Sequence, residues 1–233
     1  MTASTTLPPE SHSSPPAGPA GDVSHDARLA PHLYAVSRLK KRPYLWQAAI
    51  MHDVWQRRKT VARCCNGSGK TREVVGTLPL CVADQYPGST TVIVSATNRQ
   101  VRDQIFPAIH SHQAKYPTWD FSDTRVTSDN GSRIIGFSTD HGGRFEGYHS
   151  GGPDKPLLII VDEAKTVADD IFVAIDRCQP DMLLYISSPG GRLGRFHEAF
   201  SLPHFRKHVV GADQCPHINP AFIEEMGQLY GTD

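Results

Sequence analysis

The chain has 233 residues, room for one α/β domain with a well-buried core. Its 24 Lys and Arg balance 24 Asp and Glu, so no global basic surplus announces nucleic acid, and any such contact must rest on local patches. No apolar run approaches membrane-spanning length and no signal-peptide core opens the chain, while five cysteines, an odd number without paired metal spacing, fit a reducing compartment.

Residues 1–27 are rich in Ser, Thr, Pro, Ala and Gly and carry almost no large apolar side chains. Such a stretch cannot bury enough surface to offset its ordering entropy, which predicts a disordered tail before a folded unit over 28–233. A basic cluster, RLKKR, precedes an amphipathic pattern with Pro43 near its start and apolar Leu45, Ala48, Ile50, Met51, Val54 and Trp55. The plain reading is a helix against the sheet edge with a solvated Arg57-Arg58-Lys59 end. The sharper one concerns Gln47, whose amide can pair with adenine N6 and N7 while Tyr44 or Trp46 stacks on the ring.

The chain is organised around residues 60–71, TVARCCNGSGKT. A short apolar run leads into a loop with Gly67 and Gly69, ending in Lys70-Thr71 before a helical segment. This is the layout of a phosphate-binding loop: glycines allow a tight turn with inward N–H groups, and the new helix adds its positive end. Asn66, Gly67, Ser68, Gly69, Lys70 and Thr71 are the candidate phosphate ligands, with Lys70 on the β and γ phosphates and the Thr71 hydroxyl on Mg²⁺. Cys64 stands where the full motif has its first glycine, and a plain surface turn remains the alternative for this loop taken alone.

The helix after Thr71 runs past Leu78 and Leu80 to a turn at Tyr86-Pro87-Gly88. TTVIV at 90–94 reads as a buried strand, Ser95-Ala96-Thr97 as a helix cap or a nucleotide sensor, and 98–115 as one long helix. The polar stretch 116–132 carries no firm assignment, and 134–138 reads as a strand. The glycine-rich stretch 140–152 contains Arg144, Tyr148 and His149 and reads as a mobile loop. Its Asp140-His141-Gly142-Gly143 fits the D-x-x-G of GTPases, but the Asn-Lys-x-Asp that reads guanine is absent from the sequence.

LLIIVDEA at 157–164 supplies the second element. Five consecutive apolar residues predict a central strand of a parallel sheet, and Asp162-Glu163 fall at its carboxyl end, where open α/β sheets bind ligands. Two adjacent acids there are poorly explained by stability, because burying unpartnered charge is costly. A Mg²⁺-nucleotide supplies the partner, with Asp162 holding the metal through water and Glu163 activating the attacking water. A helix over 167–177 and a third core strand, MLLYIS at 182–187, follow. Ser187-Ser188-Pro189 then reads as a γ-phosphate sensor or an ordinary turn. A short helix at 196–200, an edge strand at 205–210 and an amphipathic helix at 220–230 close the pattern. Cys215-Pro216-His217 has no second ligand pair and argues against zinc.

Taken in order, the Gln47 helix before NGSGKT, VIVSAT, FEGYHS ahead of LLIIVDEA, LLYISSPGGRLGRFHEAF and CPHINPAFIEE resemble the ATPase domain of tailed-phage terminase large subunits. The resemblance covers about residue 42 onward. It implies a P-loop NTPase of RecA/ASCE type, a three-layer α/β sandwich on a mostly parallel sheet. It also implies Mg²⁺-dependent ATP hydrolysis that moves viral double-stranded DNA into a procapsid, in the host cytoplasm. Implied partners are the portal protein, the terminase small subunit and other copies in a ring, without a membrane. The family's loop arginine is missing here, where Cys65-Asn66 stand, leaving Arg63 or Arg144 as the arginine on the γ-phosphate, Arg144 across subunits. Ser187 and Ser188 match the family's coupling motif by position. No nuclease domain follows in this sequence, so no DNA cleavage is expected of this polypeptide. A helicase-like translocase and a truncated, non-catalytic assembly protein are the competing readings.

Overall fold

A computed structural model describes residues 28–139, 145–191 and 193–230. The tail at 1–27 and Arg144 lie outside the described residues. The sheet is built from β1 (Lys59–Cys64), β2 (Thr90–Ser95), β3 (Asp120–Ser122), β4 (Arg125–Thr127), β5 (Arg133–Ser138), β6 (Leu157–Asp162), β7 (Met182–Ser187) and β8 (Phe205–Val210). Their order is β3-β4-β5-β2-β6-β7-β1-β8. From β5 to β8 every neighbouring pair is parallel, and β3 and β4 add an antiparallel end.

The apolar runs explain which strands lie inside. Every residue of β6 and of β7 is buried, as a strand covered on both faces requires. Alternate side chains feed two cores: Leu158, Ile160, Leu184 and Ile186 face one layer, and Ile159, Val161, Leu183 and Tyr185 the other. The first layer holds α1 (Pro31–Tyr34), α2 (Leu45–Trp55), α3 (Leu78–Gln85) and α5 (Phe106–His110), while α4 (Asn98–Gln100) buries no residue. The second holds α6 (Asp169–Arg177) and α7 (Arg195–Ala199). The most exposed helix is α8 (Pro220–Tyr230), with Phe222 and Leu229 facing outward. Among the described residues no helix is long and apolar enough to cross a membrane.

One expectation changes, and one open stretch is filled. The helix expected over 98–115 ends at His110, where the Ser111 hydroxyl donates to Ala108 O at 2.7 Å and a separate turn, Gln113–Lys115, follows. A side-chain bond of this kind competes with the helix ladder. The unassigned stretch 116–132 contains the β3–β4 hairpin, held by Tyr116 stacked on Trp119 at 4.3 Å and by the Tyr116 hydroxyl bonded to that of Tyr34. On β5, Gly136 lets Phe106 lie against the strand: a Cβ there would stand 2.3 Å from Phe106 Cε2.

Candidate nucleotide site

β1, β7 and β6 are parallel neighbours, so their carboxyl ends open on one edge of the sheet. β1 releases the chain into a loop in which Gly67 (φ 72°) and Gly69 (φ 85°) are left-handed, a backbone that glycine adopts without penalty. Helical turns begin directly afterwards at Lys70, and Glu73 N bonds Gly69 O at 2.9 Å. At the end of β6, Glu163 is also left-handed (φ 51°), rare for a residue with a Cβ. Thr166 anchors that turn, donating from N at 3.0 Å and from Oγ1 at 2.8 Å to Glu163 O.

The two elements meet. Lys70 Nζ lies 2.9 Å from Glu163 Oε1, and Thr71 Oγ1 donates to Asp162 Oδ2 at 3.0 Å. Ser187 Oγ and Ser188 Oγ, from the end of β7, donate to Glu163 Oε2 at 3.1 and 3.3 Å. Burial pushes the Asp162 carboxyl up to about 6, against the pull of Lys70. Burial acts the same way on Glu163, but the hydrogen bond and charge of Lys70, helped by Lys165 and Ser187, outweigh it and hold that carboxyl below its ordinary value. Glu163 is the stronger acid of the pair.

Three buried polar atoms here have no hydrogen-bond partner: Asp162 Oδ1, Ser68 Oγ and Gln47 Nε2. Gln47 Nε2 faces the loop, 3.7 Å from where a Cβ on Gly69 would lie. A buried carboxylate oxygen left over beside a threonine hydroxyl is a hard oxygen donor set, which fits a hydrated Mg²⁺. The orphaned amide and hydroxyl fit a polar ligand seated on the loop.

No family model matches the chain, and no curated protein matches it by sequence. Solved structures do. The Thermus phage P74-26 large terminase ATPase domain is 21% identical over 87% of this chain and 94% of its own, with a TM-score of 0.63. The large terminase of a second phage, a thermophilic bacteriophage, in complex with ADP is 14% identical over 81% of this chain, with a TM-score of 0.61. S. cerevisiae Dbp5 bound to RNA and ADP BeF3 is 16% identical over 82% of this chain, with a TM-score of 0.54. In each of the last two, this chain spans about half the other's length, 50% and 53%.

The chain has the fold of a P-loop ATPase.

Within that P-loop fold, β7 separates the loop strand β1 from the acidic strand β6, which is why the two serines reach Glu163. Gln47 is buried, and its Oε1 accepts the Tyr44 N–H at 2.8 Å as a cap on α2, leaving Nε2 as its free donor. Tyr44 stacks on His217 with ring centroids 5.6 Å apart and planes within 4°. Arg63 is exposed, its guanidinium 5.6 Å from the Phe200 ring centre, and takes no part in the hydrogen bonds or ion pairs of the Lys70–Glu163 cluster.

Sequence reasoning gave two further groups no role beside this loop and acidic pair. His217 Nε2 bonds Gly67 O at 2.7 Å, and Cys215 Sγ sits 3.7 Å from Cys65 Sγ, so the segment after β8 straps the loop from outside. Lys165 reaches the serine turn through Ser188 Oγ at 2.6 Å and Pro189 O at 3.0 Å. Neither had a local signal beyond a basic or imidazole side chain near a motif.

Proposed function

We propose that this chain is the ATPase domain of a tailed-phage terminase large subunit, which hydrolyses ATP to move viral double-stranded DNA into a procapsid. One observation carries the reading: Lys70 and Thr71 touch Glu163 and Asp162, leaving a buried Asp162 oxygen unpartnered between loop and acidic strand. The likeness to the two phage terminases supports the packaging role.

In this reading the loop N–H groups of residues 66–71 and Lys70 cradle the triphosphate, and Gln47 Nε2 meets the adenine. Thr71, and Asp162 through water, would hold Mg²⁺, which would supply charge neutralisation at the phosphates. Lys70 exchanges Glu163 Oε1 for phosphate oxygens, and the freed carboxylate oxygen accepts the proton of the attacking water. Arg63 or Arg144 stabilises the charge on the transferring group, Arg144 from a neighbour in a ring. Ser187 and Ser188 couple Glu163 to DNA movement. DNA is held through its phosphates, without base readout. The portal protein and terminase small subunit complete the assembly at the procapsid, in the host cytoplasm.

The test is ATP turnover with and without Mg²⁺, in the wild-type chain and in Glu163→Gln. Wild-type hydrolysis that requires Mg²⁺, lost in a variant that still binds a fluorescent ATP analogue, supports the reading. Undiminished turnover in Glu163→Gln refutes it.

The likeness to Dbp5 favours a second reading, a helicase-like translocase of the same fold. A strand-separation assay separates the two, because a packaging motor moves duplex DNA without unwinding it.

A further inference from the structure

We propose that Lys165 is a positioning residue, clamping the Ser187–Pro189 turn so that both serine hydroxyls stay aimed at Glu163 Oε2 when Lys70 leaves Oε1. The inference rests on the ATPase reading for its catalytic consequence, although the clamp itself stands on geometry alone.

Hydrogen-bond polarity carries the argument. A lysine ammonium and a backbone N–H can only donate, whereas a serine hydroxyl has one hydrogen and can accept as well. Lys165 Nζ donates to Ser188 Oγ at 2.6 Å and to Pro189 O at 3.0 Å, and Lys165 N donates to Ser187 Oγ at 3.4 Å. Both hydroxyls are therefore occupied as acceptors from the Lys165 side, and their hydrogens point at Glu163 Oε2, 3.1 and 3.3 Å away. Lys165 Nζ itself stands 4.0 Å from the same oxygen, adding positive charge without displacing the serines.

The carboxylate is thus divided between two systems. Oε1 faces Lys70, a group that a triphosphate would draw away. Oε2 faces a turn fixed by a lysine from its own strand's exit. Without the clamp, departure of Lys70 would leave a half-buried carboxylate held only by an unclamped serine turn, free to rotate off the attacking water. The lysine stem also has a fitted seat: a Cβ on Gly190 would stand 2.6 Å from Lys165 Cδ. Gly190 has no left-handed φ, so alanine is conformationally allowed there and would press directly on the clamp.

The test uses Lys165→Met and Gly190→Ala, with Lys165→Arg as the rescue and exposed Lys207→Met as a surface-lysine control. Three quantities are read: amide hydrogen exchange of the peptide covering 187–191, affinity for a fluorescent ATP analogue, and the kcat and KM of ATP hydrolysis. The expected result is faster exchange in both clamp variants, affinity within about threefold of wild type, and kcat lowered about 10- to 100-fold, as misaligned catalytic groups cost. Lys165→Arg restores slow exchange and most of kcat. Unchanged exchange in Lys165→Met overturns the clamp. Faster exchange with unchanged kcat overturns its role in positioning Glu163, and so does an affinity loss as large as the loss in kcat. If the wild-type chain shows no turnover, the ATPase reading fails, and the exchange data still decide the clamp.

Discussion

Lys70 Nζ and Glu163 Oε1 stand 2.9 Å apart, joining the helix after the glycine loop to the end of the acidic strand by a partly buried ion pair. In the proposed reaction the same lysine is needed on the phosphates and the same oxygen on water, so the contact must open before chemistry. Lys70→Ala removes a charge-assisted contact to the triphosphate, about 2–3 kcal/mol, and nucleotide affinity should fall roughly 30- to 150-fold. Titration of a fluorescent ATP analogue measures it, and affinity within threefold of wild type would count against the loop as a phosphate site.

Asp162 illustrates a conflict between stability and function. It carries charge at neutral pH in a buried place that pushes its carboxyl up to about 6. Asp162→Asn keeps the shape and an acceptor for Thr71 Oγ1 while removing that charge. The nucleotide-free protein should gain about 1–3 kcal/mol, seen as a higher melting temperature at pH 7. The Mg²⁺-dependent part of nucleotide binding should disappear in the same variant. A lower melting temperature would show that the charged form is stabilising.

Two buried groups bend the acid limb of stability in opposite directions. Burial, reinforced by Lys41 and Lys115, lowers His112 to about 4, so from pH 6.5 downwards the unfolded chain takes a proton that the folded one refuses. The stabilisation is full above about pH 6.5 and is lost as pH falls through about 4, at most about 3 kcal/mol. Asp162 is raised instead, so its contribution is present below about pH 4 and lost as pH rises through about 6. Melting temperatures of wild type and His112→Gln at pH 7.0 and 4.5 isolate the first effect. The variant should lose less between the two values, and parallel losses would exclude it.

Gly136→Ala tests the packing of the first layer. The added methyl would meet Phe106 Cε2 at 2.3 Å and Val101 Cγ1 at 2.8 Å, both side chains of the buried core. Overpacking of this kind should cost about 1–3 kcal/mol in urea unfolding. Unchanged stability would mean that Phe106 has room to turn aside.

The sequence alone determined the local parts. Apolar runs such as LLIIV and MLLYI marked β6 and β7 as strands buried on both faces, and NGSGKT and DE announced a loop and an acidic strand end. These signals are legible because side-chain period and glycine chemistry act over a few residues. What only the tertiary structure decided is adjacency. β7 lies between β6 and β1, a placement that no residue of MLLYIS announces locally. Once it lies there, Ser187 and Ser188 reach Glu163 across 24 and 25 residues of chain. Lys165 meets Ser188 across 23, and His217 reaches Gly67 across 150. Contacts at such separations depend on loop closure and sheet order, which a local pattern does not contain. The left-handed turn at Glu163 belongs with them, since it persists through the Thr166 anchor and the Lys70 and serine contacts that the assembled sheet provides.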